Sequence, residues 1–327
     1  MMSNQNLKKE NPTKNFLPHL AALGIAFATG NCWAIAGCTN VSNASPAPAA
    51  ATTIVVASNF YGPAQDLVSS FLATLLPTTK TIRVCHDSTA TIYGEITGTP
   101  AYPYTLFLAA NATTPTSLQG TSYVQSGATA FRYAYGIPVL YTNSDITGLT
   151  KDDLIEDGIS SLDSTATADG YADYVRVNES NVDSLGIGNV PGAPYGVAAR
   201  TILTAMKQWL ASPYGSGTAP TNGGTGGACT SGDLCMYNNI DYTLQAIENG
   251  DVTAGFVSWG QVCAENSNWY VTFSDYPLDQ KGILLNVDGN PATTSAAEQL
   301  AADLKTYMNL GSAGWNTWLN NRCYGSI

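Results

Sequence analysis

Positive charge is what this chain has least of. Lysine and arginine total 13 in 327 residues against 24 aspartates and glutamates, a net charge of −11. No basic stripe exists to neutralise nucleic-acid phosphates or anionic lipid, which removes nucleic acid and membrane surfaces as partners. Histidine is scarcer still, with His19 and His86 the whole complement. A Ser-His-Asp triad would have to be assembled around His86, and no G-x-S-x-G elbow offers the serine. On an extended strand Cys85 and His86 point to opposite faces, so they do not form a dyad. No G-x-x-x-x-G-K-[ST] loop is present to cradle phosphates. The chain reads as a binder and not as an enzyme. A fixed-period repeat is lacking, and so is a clean membrane span: Pro18, His19, Gly30 and Asn31 interrupt an apolar stretch already shorter than roughly 20 residues.

What is present is a hydrophobic fraction of 44%, ample for a core and better suited to two domains than to one. Residues 1–37 read as a targeting segment. Lys8, Lys9 and Lys14 come first, an apolar stretch over 16–27 follows, and small residues end at Ala34-Ile35-Ala36-Gly37-Cys38. Two processing outcomes fit. Ala34-x-Ala36 suits ordinary cleavage, while Ile35-Ala36-Gly37-Cys38 looks like a lipobox that would anchor the chain through a lipid on Cys38. Removing 1–37 takes away three lysines and one glutamate, leaving 10 basic against 23 acidic side chains, or −13. Residues 38–52, made of Asn, Ser, Ala, Thr and Pro with few large apolar side chains, are expected to be a flexible tether.

Seven cysteines in an exported chain suggest disulfides before metal. The disulfide candidates are Cys229, Cys235, Cys263 and Cys323, with Cys229 and Cys235 closing a short loop. Zinc is the weaker reading, because only His86 is left as a histidine ligand.

Strands alternate with helices along the body. Thr53-Ile54-Val55-Val56-Ala57 is a strand, and residues 63–72 carry apolar side chains at helical spacing. Thr81-Ile82-Arg83-Val84-Cys85 and residues 90–96 repeat the unit, and 104–108 give a third strand. Residues 133–141 read as one strand opening a second lobe, with a helix near 152–155. A strand at 185–188 leads to a strong helical pattern over 197–210. A helix at 241–249, strands at 253–257 and 282–287, an amphipathic helix at 295–310 and a terminal helix carrying Trp315 and Trp318 complete the reading. Such alternation indicates open, mostly parallel sheets whose ligands bind at the carboxyl ends of strands. The expected division is 53–132 with 279–327 as lobe 1 and 133–278 as lobe 2, the latter holding a Gly/Ser-rich insertion over 212–236.

Small polar residues recur at strand-to-helix junctions: Ser58-Asn59, Ser88-Thr89, Ala193-Pro194-Tyr195-Gly196 and Asn238-Asn239-Ile240. Each junction brings free backbone N–H groups and the positive end of a helix dipole together with a side-chain donor, an arrangement that binds anions without formal positive charge. The same residues are also preferred as plain helix N-caps.

Val56-Ala57-Ser58-Asn59-Phe60 and Asp87-Ser88-Thr89-Ala90-Thr91-Ile92-Tyr93 resemble the first two ligand loops of periplasmic molybdate-binding proteins. Asn189-Val190-Pro191-Gly192-Ala193-Pro194-Tyr195-Gly196-Val197-Ala198-Ala199 is similar to that family's second-lobe motif. Asn239-Ile240-Asp241-Tyr242-Thr243-Leu244-Gln245 and Gly250-Asp251-Val252-Thr253-Ala254-Gly255-Phe256-Val257-Ser258 follow in the family's order. The resemblance implies a type II periplasmic binding protein fold, two α/β lobes with the ligand in the cleft between them. It implies a monomeric extracytoplasmic receptor that captures molybdate or tungstate and hands it to the membrane permease of an ABC importer. No cofactor is implied, and molybdenum or tungsten would enter only as the oxyanion. Carried over, Ser58 and Ser88 would donate hydroxyl and amide bonds, Asn59 its side-chain amide, and Tyr195 and Ile240 backbone N–H groups. Some relatives place a tyrosine hydroxyl where this chain has Ser258, which keeps sulfate or phosphate open as ligands. A surface interaction module is the reading from a different class.

Overall fold

The computed structural model describes residues 37–99, 101–142, 184–205, 221–224, 234–265, 269–287 and 294–327. The segment 1–36, the helix expected near 152–155, and Cys229 lie outside the described residues.

The chain opens with β1 (Cys38–Ser42) and β2 (Thr52–Ala57). In β2, Ile54, Val55 and Val56 are all buried, as a central strand covered on both faces requires. A single 3-10 turn at Ser58–Phe60 leads into α1 (Tyr61–Thr74), whose Ala64, Leu67, Val68, Phe71 and Leu72 recur at helical spacing and are all buried. Each fully buried Val, Leu or Phe contributes about 1.5–3 kcal/mol. Then come β3 (Thr81–Asp87), α2 (Thr89–Thr97), β4 (Leu106–Leu108), α3 (Thr113–Leu118), β5 (Phe131–Gly136) and β6 (Pro138–Thr142). They are followed by β7 (Leu185–Gly188), α4 (Pro194–Ala205), β8 (Thr221–Gly224), β9 (Leu234–Tyr237), α5 (Ile240–Asn249) and β10 (Ala254–Ser258). The last elements are α6 (Trp259–Val262), β11 (Tyr270–Thr272), β12 (Leu278–Leu284), α7 (Ala296–Met308) and α8 (Ala313–Asn320).

Helix ends follow local chemistry. Asn239 caps α5, and Gly250, at φ 77°, ends it in the left-handed conformation that glycine adopts without strain. Ser295 and Glu298 form a reciprocal capping box at the start of α7.

Two six-stranded sheets result, ordered β1-β3-β2-β4-β12-β5 and β11-β6-β10-β7-β9-β8. In the first, β3, β2 and β4 are parallel while β1, β12 and β5 join antiparallel. In the second, β10, β7, β9 and β8 are parallel and β6 and β11 antiparallel. The fold is therefore a two-lobed α/β architecture, each lobe a sheet flanked by helices. The chain crosses between sheets at Ile137, between β5 and β6, and again over 273–277, between β11 and β12. The Phe273 N–H donates to the Pro138 carbonyl at 2.9 Å, so the crossings run side by side as a two-stranded hinge.

Three expectations need correction. The run 133–141 is two strands in different sheets, because Gly136 and Ile137 mark the crossing and β5 stays with the first sheet through Gly136. Residues 38–42, expected within a tether, form an edge strand paired with β3 from Cys38↔Cys85 to Ser42↔Thr81. Edge pairing uses backbone groups and needs little apolar side chain, and Asn43 secures the turn that follows with bonds to Leu72, Thr78 and Lys80. Within 212–236, residues 221–224 and 234–236 belong to strands of the second sheet.

Two disulfides are described in full, Cys38–Cys85 and Cys263–Cys323. Cys235 is also disulfide-bonded. The Cys38 sulfur is thus engaged, and a thioether lipid on the same atom and this disulfide exclude one another. Among the described residues no helix is long and apolar enough to cross a membrane.

Candidate functional site

Ser58 follows β2, Ser88 follows β3, Tyr195 follows β7, Ile240 follows β9 and Ser258 ends β10. All five therefore stand at the carboxyl ends of parallel strands, where an α/β sheet offers helix N-termini to a ligand. The two lobes meet there. Ala57 and Ala110 from the first lobe share one apolar cluster with Tyr195 and Ile240 from the second. All six candidate residues are buried, with Asn59 1% and Ser258 0% exposed.

Their polar atoms fall into two groups. The first lies beside the strand crossings. The Tyr195 hydroxyl is 2.8 Å from Ser258 Oγ and accepts from Gln280 Nε2 at 3.1 Å. Asn59 Nδ2 donates to Gln280 Oε1 at 3.4 Å, and the Asn59 carbonyl accepts the Tyr324 hydroxyl. Gly136 lies against Gln280 Nε2 and the Tyr195 hydroxyl so closely that any side chain there would displace them. Burial pushes the Tyr195 phenol well up, only partly offset by its hydrogen bonds to Ser258, Gln280 and Asn59, so it stays neutral. Asn59 Oδ1 is buried with no hydrogen-bond partner, a loss worth about 1–3 kcal/mol unless something else meets it. Ser258 also donates its N–H to Gln261 Oε1 at 3.1 Å.

The second group spans the cleft. His86 Nδ1, at the end of β3, lies 2.9 Å from Asp241 Oδ2 in α5 and 3.2 Å from Ser58 Oγ. Asp87 Oδ1 accepts the Ser88 N–H at 2.6 Å and Asn239 Nδ2 at 3.3 Å, and the Ala90 N–H donates to the Gly192 carbonyl at 3.2 Å. Ser88 is the N-cap of α2: its Oγ accepts the Thr91 N–H at 3.1 Å and lies 2.8 Å from Thr91 Oγ1. Asn239 Oδ1 accepts from Asp241 and Tyr242 N–H, so the cap serves the second and third amides of α5 and not that of Ile240, the first.

Ser88 is thus an N-cap as well as a candidate site residue, whereas at the second-lobe junction the cap is Asn239 and the candidate is Ile240. Asn59, Tyr195 and Ser258 are joined by direct or one-step hydrogen bonds through Gln280. Ser58, Ser88 and Ile240 are brought together around His86, Asp87 and Asp241. Sequence reasoning missed the roles of His86, Asp87, Asp241 and Gln280. His86 and Asp87 had a signal, since they complete the strand that delivers Ser88. Gln280 had none beyond being a polar residue inside a strand.

Among the described residues no three His, Cys, Asp or Glu side chains converge as metal ligands. A separate groove of about 320 Å³ runs beside α4, lined by Asn111, Pro194, Val197, Tyr276 and Leu278, among others, and by none of the candidate residues.

Comparisons with known proteins fit this geometry. A family model described as bacterial extracellular solute-binding protein matches residues 52–316. A search of curated proteins by sequence finds no match. Among solved structures, the Azotobacter vinelandii periplasmic molybdate-binding protein is similar with a TM-score of 0.62 at 17% identity, covering 84% of this chain and 99% of that one. A substrate-binding domain ascribed to a molybdenum ABC transporter from Clostridium difficile gives 0.51 at 12% identity, over 84% and 98%. A periplasmic thiamin-binding protein also gives 0.51, at 9% identity, over 84% and 82%. Likeness at these identities establishes the shared fold and leaves the ligand to the site.

Proposed function

Because the chain belongs to the bacterial extracellular solute-binding protein family, we propose that it captures molybdate or tungstate outside the cytoplasm and delivers it to the permease of an ABC importer. One observation supports the reading: Ser58, Ser88, Tyr195 and Ile240 each stand at the carboxyl end of a parallel strand, two on each lobe, at positions that offer hydroxyls and helix-terminal amides and with no lysine or arginine among them. A tetrahedral dianion loses a large hydration energy on entering such a cleft, so its oxygens must be met by donors, and neutral donors suffice when enough of them point inward. Asn59 could add its side-chain Nδ2 only by giving up its long 3.4 Å bond to Gln280 Oε1. Binding without conversion is the expected activity: Ser58 Oγ and Asp241 face the same His86 nitrogen, Nδ1, whereas a Ser-His-Asp relay needs the serine on one ring nitrogen and the carboxylate on the other.

Hydrogen phosphate is the second reading. Asp87 and Asp241 flank the cleft, and a carboxylate accepts a hydrogen bond from a protonated oxyanion but repels one that has no proton to give.

Isothermal titration with molybdate, tungstate, sulfate and phosphate separates the two. Tight binding of molybdate or tungstate alone, weakened about 10- to 100-fold by Ser88→Ala through loss of a hydrogen bond to a charged group, supports the first reading. Preference for phosphate selects the second, and silence toward all four rejects both.

A further inference from the structure

The His86 side chain touches both a proposed anion donor and the opposite lobe through a single ring nitrogen. Its Nδ1 faces Ser58 Oγ at 3.2 Å on its own lobe and Asp241 Oδ2 at 2.9 Å across the cleft. The ring is held from three sides. Tyr61 stacks on it at 3.8 Å between centroids with a 21° tilt. Gly37 packs against its Nε2 edge, and the His86 N–H donates to the Gly37 carbonyl at 3.2 Å. The Cys38–Cys85 disulfide fastens β1, and Gly37 with it, beside the ring. Asp241 is fixed in turn, because Gln261 Nε2 donates to its Oδ1 at 2.6 Å.

These contacts determine where protons sit. An ionised carboxylate only accepts, so the Nδ1 facing Asp241 must carry hydrogen. A protonated Nδ1 has no lone pair to offer Ser58. The Ser58 hydroxyl can therefore accept from His86 but cannot donate to it, and its own proton is left to point elsewhere. With the lobes apart, Asp241 is not there to impose this tautomer, and Nδ1 is free to accept the Ser58 proton instead.

Resting on the oxyanion reading above, we infer that His86 is a positioning residue that turns the Ser58 hydroxyl into a donor toward the bound anion when Asp241 closes onto it. Lobe closure and donor direction are then one event: the second lobe brings Asp241 to His86, His86 presents N–H to Ser58, and Ser58 presents O–H to the ligand. Bulk packing would account for a buried ring but not for its nitrogen being shared between a carboxylate on one lobe and a ligand-facing hydroxyl on the other.

The test uses the full chain and molybdate as probe. His86→Phe keeps a ring to stack on Tyr61 but has no nitrogen, whereas His86→Asn places an amide N–H near the position of Nδ1. Titration calorimetry is expected to show about tenfold or greater weakening in His86→Phe and near wild-type affinity in His86→Asn. His86→Phe combined with Ser58→Ala is expected to bind no more weakly than Ser58→Ala alone, because the two act in series. In the molybdate-bound protein, nitrogen NMR should show the Nδ1–H tautomer of His86, lost in Asp241→Asn. The His19 signals are recognised by their persistence in His86→Asn. Wild-type affinity in His86→Phe, equal weakening by Phe and Asn, additive losses in the double variant, or an Nε2–H tautomer in the molybdate-bound wild type would each overturn the inference while leaving the oxyanion reading intact. A wild type that binds no molybdate instead removes the reading on which the inference rests.

Discussion

Glu95 in α2 accepts the Tyr104 hydroxyl at 2.8 Å in a partly buried setting. Burial raises its carboxyl above the usual range, the Tyr104 bond opposes that rise, and the Asp87 charge adds to it. The sign of the consequence follows. The fold disfavours ionised Glu95, so a destabilisation is present at neutral pH and disappears as pH falls below the unfolded value, where both states are protonated. Glu95→Gln can still accept from Tyr104 while removing the charge. Thermal unfolding at pH 8 should shift upward by about 1–3 °C, corresponding to roughly 0.5–1 kcal/mol after allowance for solvent screening, and the gain should vanish near pH 4. Single residues also mark how far the sequence could be read. Ser58 and Ser88 were legible because each sits between a strand rich in β-branched residues and a helical run, and such junctions place donors at strand ends regardless of tertiary detail; Ile240 rested on the family resemblance, since the strand before it, Leu234–Tyr237, has no β-branched residue. His86 and Gln280 were not, because their significance depends on Asp241 and Tyr195, which reach them only once the two sheets fold together.

Elements tell the same story with a different cause. β2, α1, β3 and α7 carry their periodicity in their own side chains, and the structure places them within a few residues of expectation. β1 carries none, and its place is fixed by Cys38–Cys85 and by backbone pairing to β3. The division of 133–141 was illegible for the opposite reason. The run is apolar throughout, because both β5 and β6 belong to buried sheets, and apolarity does not reveal which sheet. β1 offers a measurable test of its own. Replacing Cys38 and Cys85 together by alanine opens a loop with a sequence separation of 47. Chain-entropy arguments put the loss at up to about 4 kcal/mol, with about 2 kcal/mol or more expected in practice. Urea unfolding should show the midpoint fall with little change in slope, and an unchanged midpoint would mean that edge pairing alone secures the strand.

At the scale of the whole molecule, the proposed capture of an anion by a chain of net charge −11 would work against the protein's own field. Charges far from the cleft are screened over about 8–10 Å at physiological salt, whereas donors in direct contact with the ligand are not. Oxyanion affinity should therefore rise by a few-fold as sodium chloride is taken from 10 to 150 mM (roughly the span over which the screening length shortens from 30 to 8 Å). A steady fall with salt would instead point to an unrecognised cationic contact. The lobes carry a constraint of another kind. Cys263 follows α6, which extends from the second sheet, and Cys323 follows α8, which packs on the first, so their disulfide joins the two lobes by a covalent path that bypasses both strand crossings. A receptor of this kind loses apparent affinity in proportion to the fraction of time it spends splayed, since binding is favourable only to the population poised to shut. A bond across the cleft shortens that search by holding each half at high effective concentration relative to the other. Cys263→Ser with Cys323→Ser should then bind about three- to tenfold more weakly in stopped-flow titration, with most of the change in association rate. In an oxidising compartment, part of this protein's hold on its ligand would be written into a sulfur–sulfur bond that never touches it.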